Sequence, residues 1–225
     1  MKKLFACIFI LALFTGQALS AASAKVVSCK GEVMVKNLDL KDFTSIEVNG
    51  SAQIIISQQE DFEVSVRANK DVFDYLDYKV RGGTLYIETK DGVNLLARVY
   101  DVIISLPLVE NVRINGSGDL TLKDDYSADT ALTLKVNGAG DLNMDSVEVP
   151  ALHIQVNGAG DIQVKDADVK TLAVSVNGAA SAAVAGKADV AFFKLTGAAS
   201  MDARHLEAGS IETNRSGVSR ILLNK

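Results

Sequence analysis

The chain has 225 residues, 48% of them hydrophobic and 23% charged, which is a globular composition rather than a disordered one. Its 23 basic and 28 acidic residues give a formal net charge of −5, which argues against nucleic acid as a partner. Seventeen Gly against two Pro suit a chain that turns often through left-handed backbone and has few stiff linkers.

Lys2 and Lys3, an apolar run from Leu4 to Phe14 and small residues from Ala18 to Ala24 read as a secretory signal peptide over residues 1–24. Cleavage would follow Ser20 or Ala24, and the run is too short to span a bilayer as a helix. Its removal takes Cys7 and leaves Cys29 as a single cysteine, so no internal disulfide is expected. Val26-Val27-Ser28-Cys29 resembles a lipoprotein cleavage box, which would anchor the chain by an acyl group on Cys29. Lys25 and ten other residues separate that box from the apolar run, so an unmodified thiol is the expectation. No later apolar run supplies a transmembrane anchor. The mature protein is therefore expected in the periplasm, at the outer-membrane surface or outside the cell.

After a lead-in over residues 25–40, residues 41–110 read as a β-rich half. Phe43, Ile46 and Val48 precede the turn Asn49-Gly50-Ser51-Ala52, and Phe62 to Val66 alternates as a strand does. Lys70 to Leu76 suits a short helix, and Arg81-Gly82-Gly83-Thr84 suits a hairpin between two strands. Val102 to Leu106 reads as a buried strand ended by Pro107. No Pro- or Gly-rich linker separates this half from the next, so a shared core is expected.

Residues 111–225 repeat. Asn115-Gly116-Ser117-Gly118-Asp119, Asn137-Gly138-Ala139-Gly140-Asp141 and Asn157-Gly158-Ala159-Gly160-Asp161 are near copies. Weaker copies begin at Asn177-Gly178 and Thr196-Gly197, and a frayed one at Ser216-Gly217. The spacing is about 20 residues, the signature of stacked repeats. Between turns one parity is apolar: Leu132, Leu134 and Val136, then Leu152, Ile154 and Val156, then Leu172, Val174 and Val176. Two short strands per repeat, stacked through parallel hydrogen bonds, predict an all-β fold: a right-handed single-stranded β-helix solenoid. Asn115, Asn137, Asn157 and Asn177 would then stack as an amide ladder.

Phe43-Thr44-Ser45-Ile46-Glu47-Val48-Asn49-Gly50, Ile103-Ile104-Ser105-Leu106-Pro107-Leu108 and the three Gly-x-Gly-Asp turns resemble the putative autotransporter adhesin, head GIN domain family, known mainly from Bacteroidetes. The resemblance covers about residues 41–225 and implies an exported β-helical domain for surface adhesion. The chain departs from the family where Ala180, Ala199 and Ser219 replace the second Gly of the turn, and neither a long stalk nor a membrane β-barrel is expected from these residues.

Little in the sequence points to catalysis. Asp119, Asp141 and Asp161 fall one per repeat and are the calcium candidates, but calcium takes several oxygen ligands in one cage, so support of each turn is expected instead. His153 and His205 lack a second His or Cys nearby in sequence, and no nucleophile motif accompanies Ser117, Ser181 or Ser200. The expectation is a non-enzymatic interaction module without cofactor or metal, its partner a surface protein, a glycan or a second copy of the chain. Carbohydrate binding in the cell envelope is the alternative. Phe192 falls on the outward parity and is the candidate interface residue.

Overall fold

The computed structural model describes residues 25–224, and the expected signal peptide lies outside them. The strands in chain order are β1 (Lys25–Cys29), β2 (Val33–Leu38), β3 (Ser45–Gly50), β4 (Gln53–Gln58) and β5 (Glu63–Asn69). A 3-10 helix, Lys70–Tyr75, leads to β6 (Leu76–Arg81), β7 (Thr84–Thr89), β8 (Val93–Ala97) and β9 (Tyr100–Leu106). The repeat region holds β10 (Asn111–Ser117), β11 (Leu120–Ser127), β12 (Leu132–Ala139), β13 (Leu142–Gly197), β14 (Ser200–Gly217) and β15 (Arg220–Leu223).

The all-β expectation holds, but the right-handed single-stranded β-helix does not. Thirteen strands form one mixed sheet, and β1 and β8 form a separate parallel pair. The main path of this sheet begins β2-β5-β9 and ends β7-β6, with β14 and β15 branching from β13, and the pairings β2–β5, β5–β9 and β6–β7 are antiparallel. Between those ends every pairing is parallel. The repeat pattern determines which side chains face inward and which turns meet; it carries no information about where the chain doubles back. At β6–β7 the reversal is made by Gly82 and Gly83, with φ of 56° and 74°, the positive pair a two-residue hairpin needs.

Within the parallel part, equivalent residues are in register. Asn115 sits beside Asn137 and Gly116 beside Gly138, and Asn137 and Gly138 sit beside Asn157 and Gly158. On the other side of β10 lie Asn49 and Gly50, 66 residues earlier in the chain than Asn115 and Gly116. Thus β3 and β4 stand beside the first repeat, and β7 and β9 pair with them in parallel on the other side, so part of the intervening segment extends the ladder.

The inward parity is buried as the alternation requires: Leu132, Val136, Leu152, Val156, Leu172 and Val176 are all at most 1% exposed. Each such side chain contributes roughly 1.5–3 kcal/mol of burial. One continuous cluster joins them to Phe43, Ile46 and Ile104 of the N-terminal half. The largest buried aromatic with a polar tip, Tyr126, has its hydroxyl satisfied at Val109, donating to the carbonyl at 2.7 Å and accepting from the N–H at 3.2 Å. Ordered turns with one apolar face therefore build a rigid wall whose outer surface carries the polar residues.

Candidate functional site

The near-constant spacing of the turns produces two hydrogen-bonded columns. In the first, each Asn donates its Nδ2 to the Oδ1 of the preceding layer: Asn115 to Asn49 at 2.8 Å, Asn137 to Asn115 at 2.8 Å and Asn157 to Asn137 at 2.9 Å. An amide carries both donor and acceptor, so the pattern propagates without a change of residue. The column reaches the Glu88 carboxylate through Asn49. Asn177 is in the next turn but is exposed, and the column ends at Asn157 among the described residues.

The glycines beside these amides are required by close approach. A Cβ on Gly116 would lie 2.1 Å from the Gly50 carbonyl oxygen, on Gly138 1.9 Å from that of Gly116, and on Gly158 1.8 Å from that of Gly138. Gly178, Gly197 and Gly217 repeat the contact at 2.0, 2.5 and 2.7 Å, and all six glycines have positive φ. The widening distances follow the weakening of the repeat in the sequence.

In the second column Asp119 accepts the Asp141 N–H at 2.9 Å, and Asp141 accepts the Asp161 N–H at 2.8 Å. Each of these two carboxylates has one oxygen committed to the layer above it. The three side chains are exposed, and no group of three or more His, Cys, Asp or Glu side chains suited to a metal ion occurs among the described residues. The arrangement makes these aspartates braces of the turn.

A groove of about 570 Å³ runs beside this column toward the C-terminal end. Asp141, Asp161, Ser181, Ser200 and Arg220 line one side of it. Asn143, Gln163 and Asp202 contribute the next column outward, interrupted by Ala183. Asp202 is clamped by Arg204, whose Nε and Nη2 donate to its two oxygens at 2.9 and 2.6 Å. That guanidinium lowers the Asp202 carboxyl to about 2, so the groove keeps this negative charge throughout the physiological pH range. Sequence reasoning did not single out Asn143, Gln163 or Asp202. Their signal was available: they recur one repeat apart on the outward parity after each turn, but polar outward residues on a strand ordinarily mean only solvation.

Phe192 is 41% exposed and pairs in register with Glu212, while its neighbour Phe193 is 1% exposed in the core. Cys29 is fully buried in β1 opposite Ala97, and burial together with the Asp71 carboxylate pushes its thiol upward. His153 lies beside Thr133 and His205 beside Ala185, on different strands of the ladder.

The family described as "Putative auto-transporter adhesin, head GIN domain" matches residues 42–225. No curated protein matches the chain. Among solved structures, a "putative lipid binding protein" from Parabacteroides distasonis superposes with a TM-score of 0.79 at 20% identity, covering 88% of this chain and 100% of its own. A "putative adhesin" from Bacteroides fragilis gives 0.72 at 14% identity, covering 87% and 98%. A "putative adhesin" from Parabacteroides merdae gives 0.54 at 14% identity, covering 88% and 100%. At these identities the likeness is one of fold.

Proposed function

The chain belongs to the putative auto-transporter adhesin, head GIN domain family, and from that premise we propose that it is an exported, non-enzymatic interaction module of adhesin type. The observation that carries this reading is the family match across residues 42–225, nearly all of the expected mature chain. The names of two of the structural neighbours, each a "putative adhesin", support it. So does the construction of the wall: its repeated polar side chains are spent on holding the turns together, which favours presenting a rigid surface over performing chemistry. No helix among the described residues is long and apolar enough to cross a membrane. Export rests on the signal-like residues 1–24, and the burial of Cys29 favours an unmodified thiol.

Carbohydrate binding is a second reading, favoured by the groove. Asn143 and Gln163 present hydrogen-bonding groups on successive layers about 4.8 Å apart, the strand spacing, and Asp202 does so two layers beyond Gln163, which suits a repeating polar polymer. The test is to immobilise the purified protein and measure retention of a glycan array, phosphatidylglycerol vesicles and bacterial outer-membrane protein. The adhesin reading expects saturable capture of protein, and the second expects capture of glycan lost in the N143A/Q163A variant. Vesicle capture alone would instead favour the lipid role named for one structural neighbour. Absence of all three would contradict an interaction module.

A further inference from the structure

Five of the large apolar side chains left exposed, Val26, Val33, Met34, Val35 and Leu96, lie on β1, β2 and β8. Of these strands, β2 is also a terminal strand of the 13-stranded sheet and pairs only with β5 among the described residues. Val33, Met34 and Val35 are 40%, 44% and 62% exposed, so both faces of the strand are open.

The direction of its backbone groups follows from the register. Lys70 N–H donates to the Glu32 carbonyl at 2.8 Å, one step beyond the Val33–Asn69 pair. Inward-turned and outward-turned residues alternate in an antiparallel ladder, so Met34 and Lys36 turn their backbone groups toward β5. Val33, Val35 and Asn37 therefore aim theirs away from the sheet. Asn69 holds the start of this edge: its Nδ2 donates to the Gly31 carbonyl at 2.7 Å, and its Oδ1 accepts the Arg98 and Val99 N–H groups at 3.1 Å each.

We infer that this edge pairs with the same edge of a second copy, antiparallel about a two-fold axis through Met34. In that register the outward groups of Val33 face those of Val35 in the other copy, giving four backbone hydrogen bonds. Met34 meets its own mate, and Glu32 meets Lys36, twice by symmetry. Both charged residues lie on the Met34 side of the strand, as cross-strand partners must. Neighbouring registers compatible with the outward groups lose this match: shifting the axis to Val33 sets Lys30 against Lys36, and shifting it to Val35 sets Glu32 against Leu38. Lys36 sits on the face that β5 turns to the core, opposite buried Val66, where a charge ordinarily blocks edge pairing with an arbitrary strand. Glu32 removes that obstacle for this one partner, and in the single chain neither Glu32 nor Lys36 has an ion-pair partner among the described residues.

The test uses the purified protein in sedimentation velocity over a concentration series, with oxidative cross-linking of single-cysteine variants. The two copies of Met34 form a non-hydrogen-bonded pair with Cα atoms about 4.5 Å apart, within disulfide reach. Met34→Cys should give a disulfide-linked dimer, whereas Lys36→Cys, whose two copies lie about 13 Å apart along the strands, should not. Native Cys29 is buried and adds no background. Glu32→Lys and Lys36→Glu should each weaken association about tenfold, and the E32K/K36E double variant should restore it. Restoration by the double variant excludes misfolding as the cause. A protein monomeric at every concentration whose Met34→Cys variant stays uncrosslinked would overturn the inference, as would a dimer indifferent to both charge reversals.

Discussion

The two halves of the sheet are stabilised by opposite means. In the repeat region the tightest constraint is the absence of a side chain: Gly138 and Gly158 let one carbonyl approach the next layer where no Cβ fits. In the N-terminal half the tightest polar constraint is the presence of one. Asn69, 3% exposed, satisfies three backbone groups from two separate loops. Among the N-terminal glycines, Gly82, Gly83 and Gly92 have open space where a Cβ would go, and Gly31 and Gly50 would meet the side chains of Asp71 and Thr89 rather than backbone. A repeated layer can be built by copying one turn, whereas a chain that doubles back needs individual anchors.

The contrast is broken most severely at Gly158. Gly158→Ala places a Cβ 1.8 Å from the Gly138 carbonyl oxygen at a φ of 146°, and should cost about 4 kcal/mol through displacement of the layer and backbone strain. Gly92→Ala, at a φ of 72° with nothing nearby, should cost about 1 kcal/mol. Urea denaturation of both variants measures the difference, and equal losses would mean that the layers are not in close contact.

Asn69→Leu comes next. It leaves the Gly31 carbonyl and the Arg98 and Val99 N–H groups without their partner in a buried setting, at about 3 kcal/mol. Hydrogen exchange should quicken at Arg98 and Val99 while the amides of Leu152 to Val156 keep their protection. Uniform loss of protection would show that the two regions do not differ as described.

The smallest effect is expected at Phe192. Phe192→Ser should change stability by less than about 1 kcal/mol, whereas Phe193→Ala should cost about 3 kcal/mol or more. Comparable thermal shifts in the two variants would place Phe192 in the core and remove it as an interface candidate.

The same contrast explains what could be read from the residues alone. The inward parity of Leu132 to Val136 and its copies, the meeting of the Asn-Gly turns and the Gly82-Gly83 hairpin follow from local rules, period and turn chemistry, that act within a few residues. The antiparallel ends of the sheet do not, because β2–β5 and β5–β9 are selected by packing between distant segments that share no repeated motif. The place of Asn49 beside Asn115 was foreshadowed by its Asn-Gly pair, but its adjacency depends on the segment between them pairing on the far side of β3 and β4. Asn177 shows the converse: its motif matches, yet it is exposed and outside the amide column. For the groove, Asn143 and Gln163 acquire meaning only when the layers set them side by side.

The parallel, in-register stacking of the repeat turns is tested most directly by the side-chain amides themselves. Nuclear Overhauser contacts recorded on protein labelled at asparagine should link the Nδ2 protons of Asn115 to Asn49, of Asn137 to Asn115 and of Asn157 to Asn137, and should stop before Asn177. Contacts that skip a layer, or amides of Asn115, Asn137 and Asn157 that see only solvent, would contradict it.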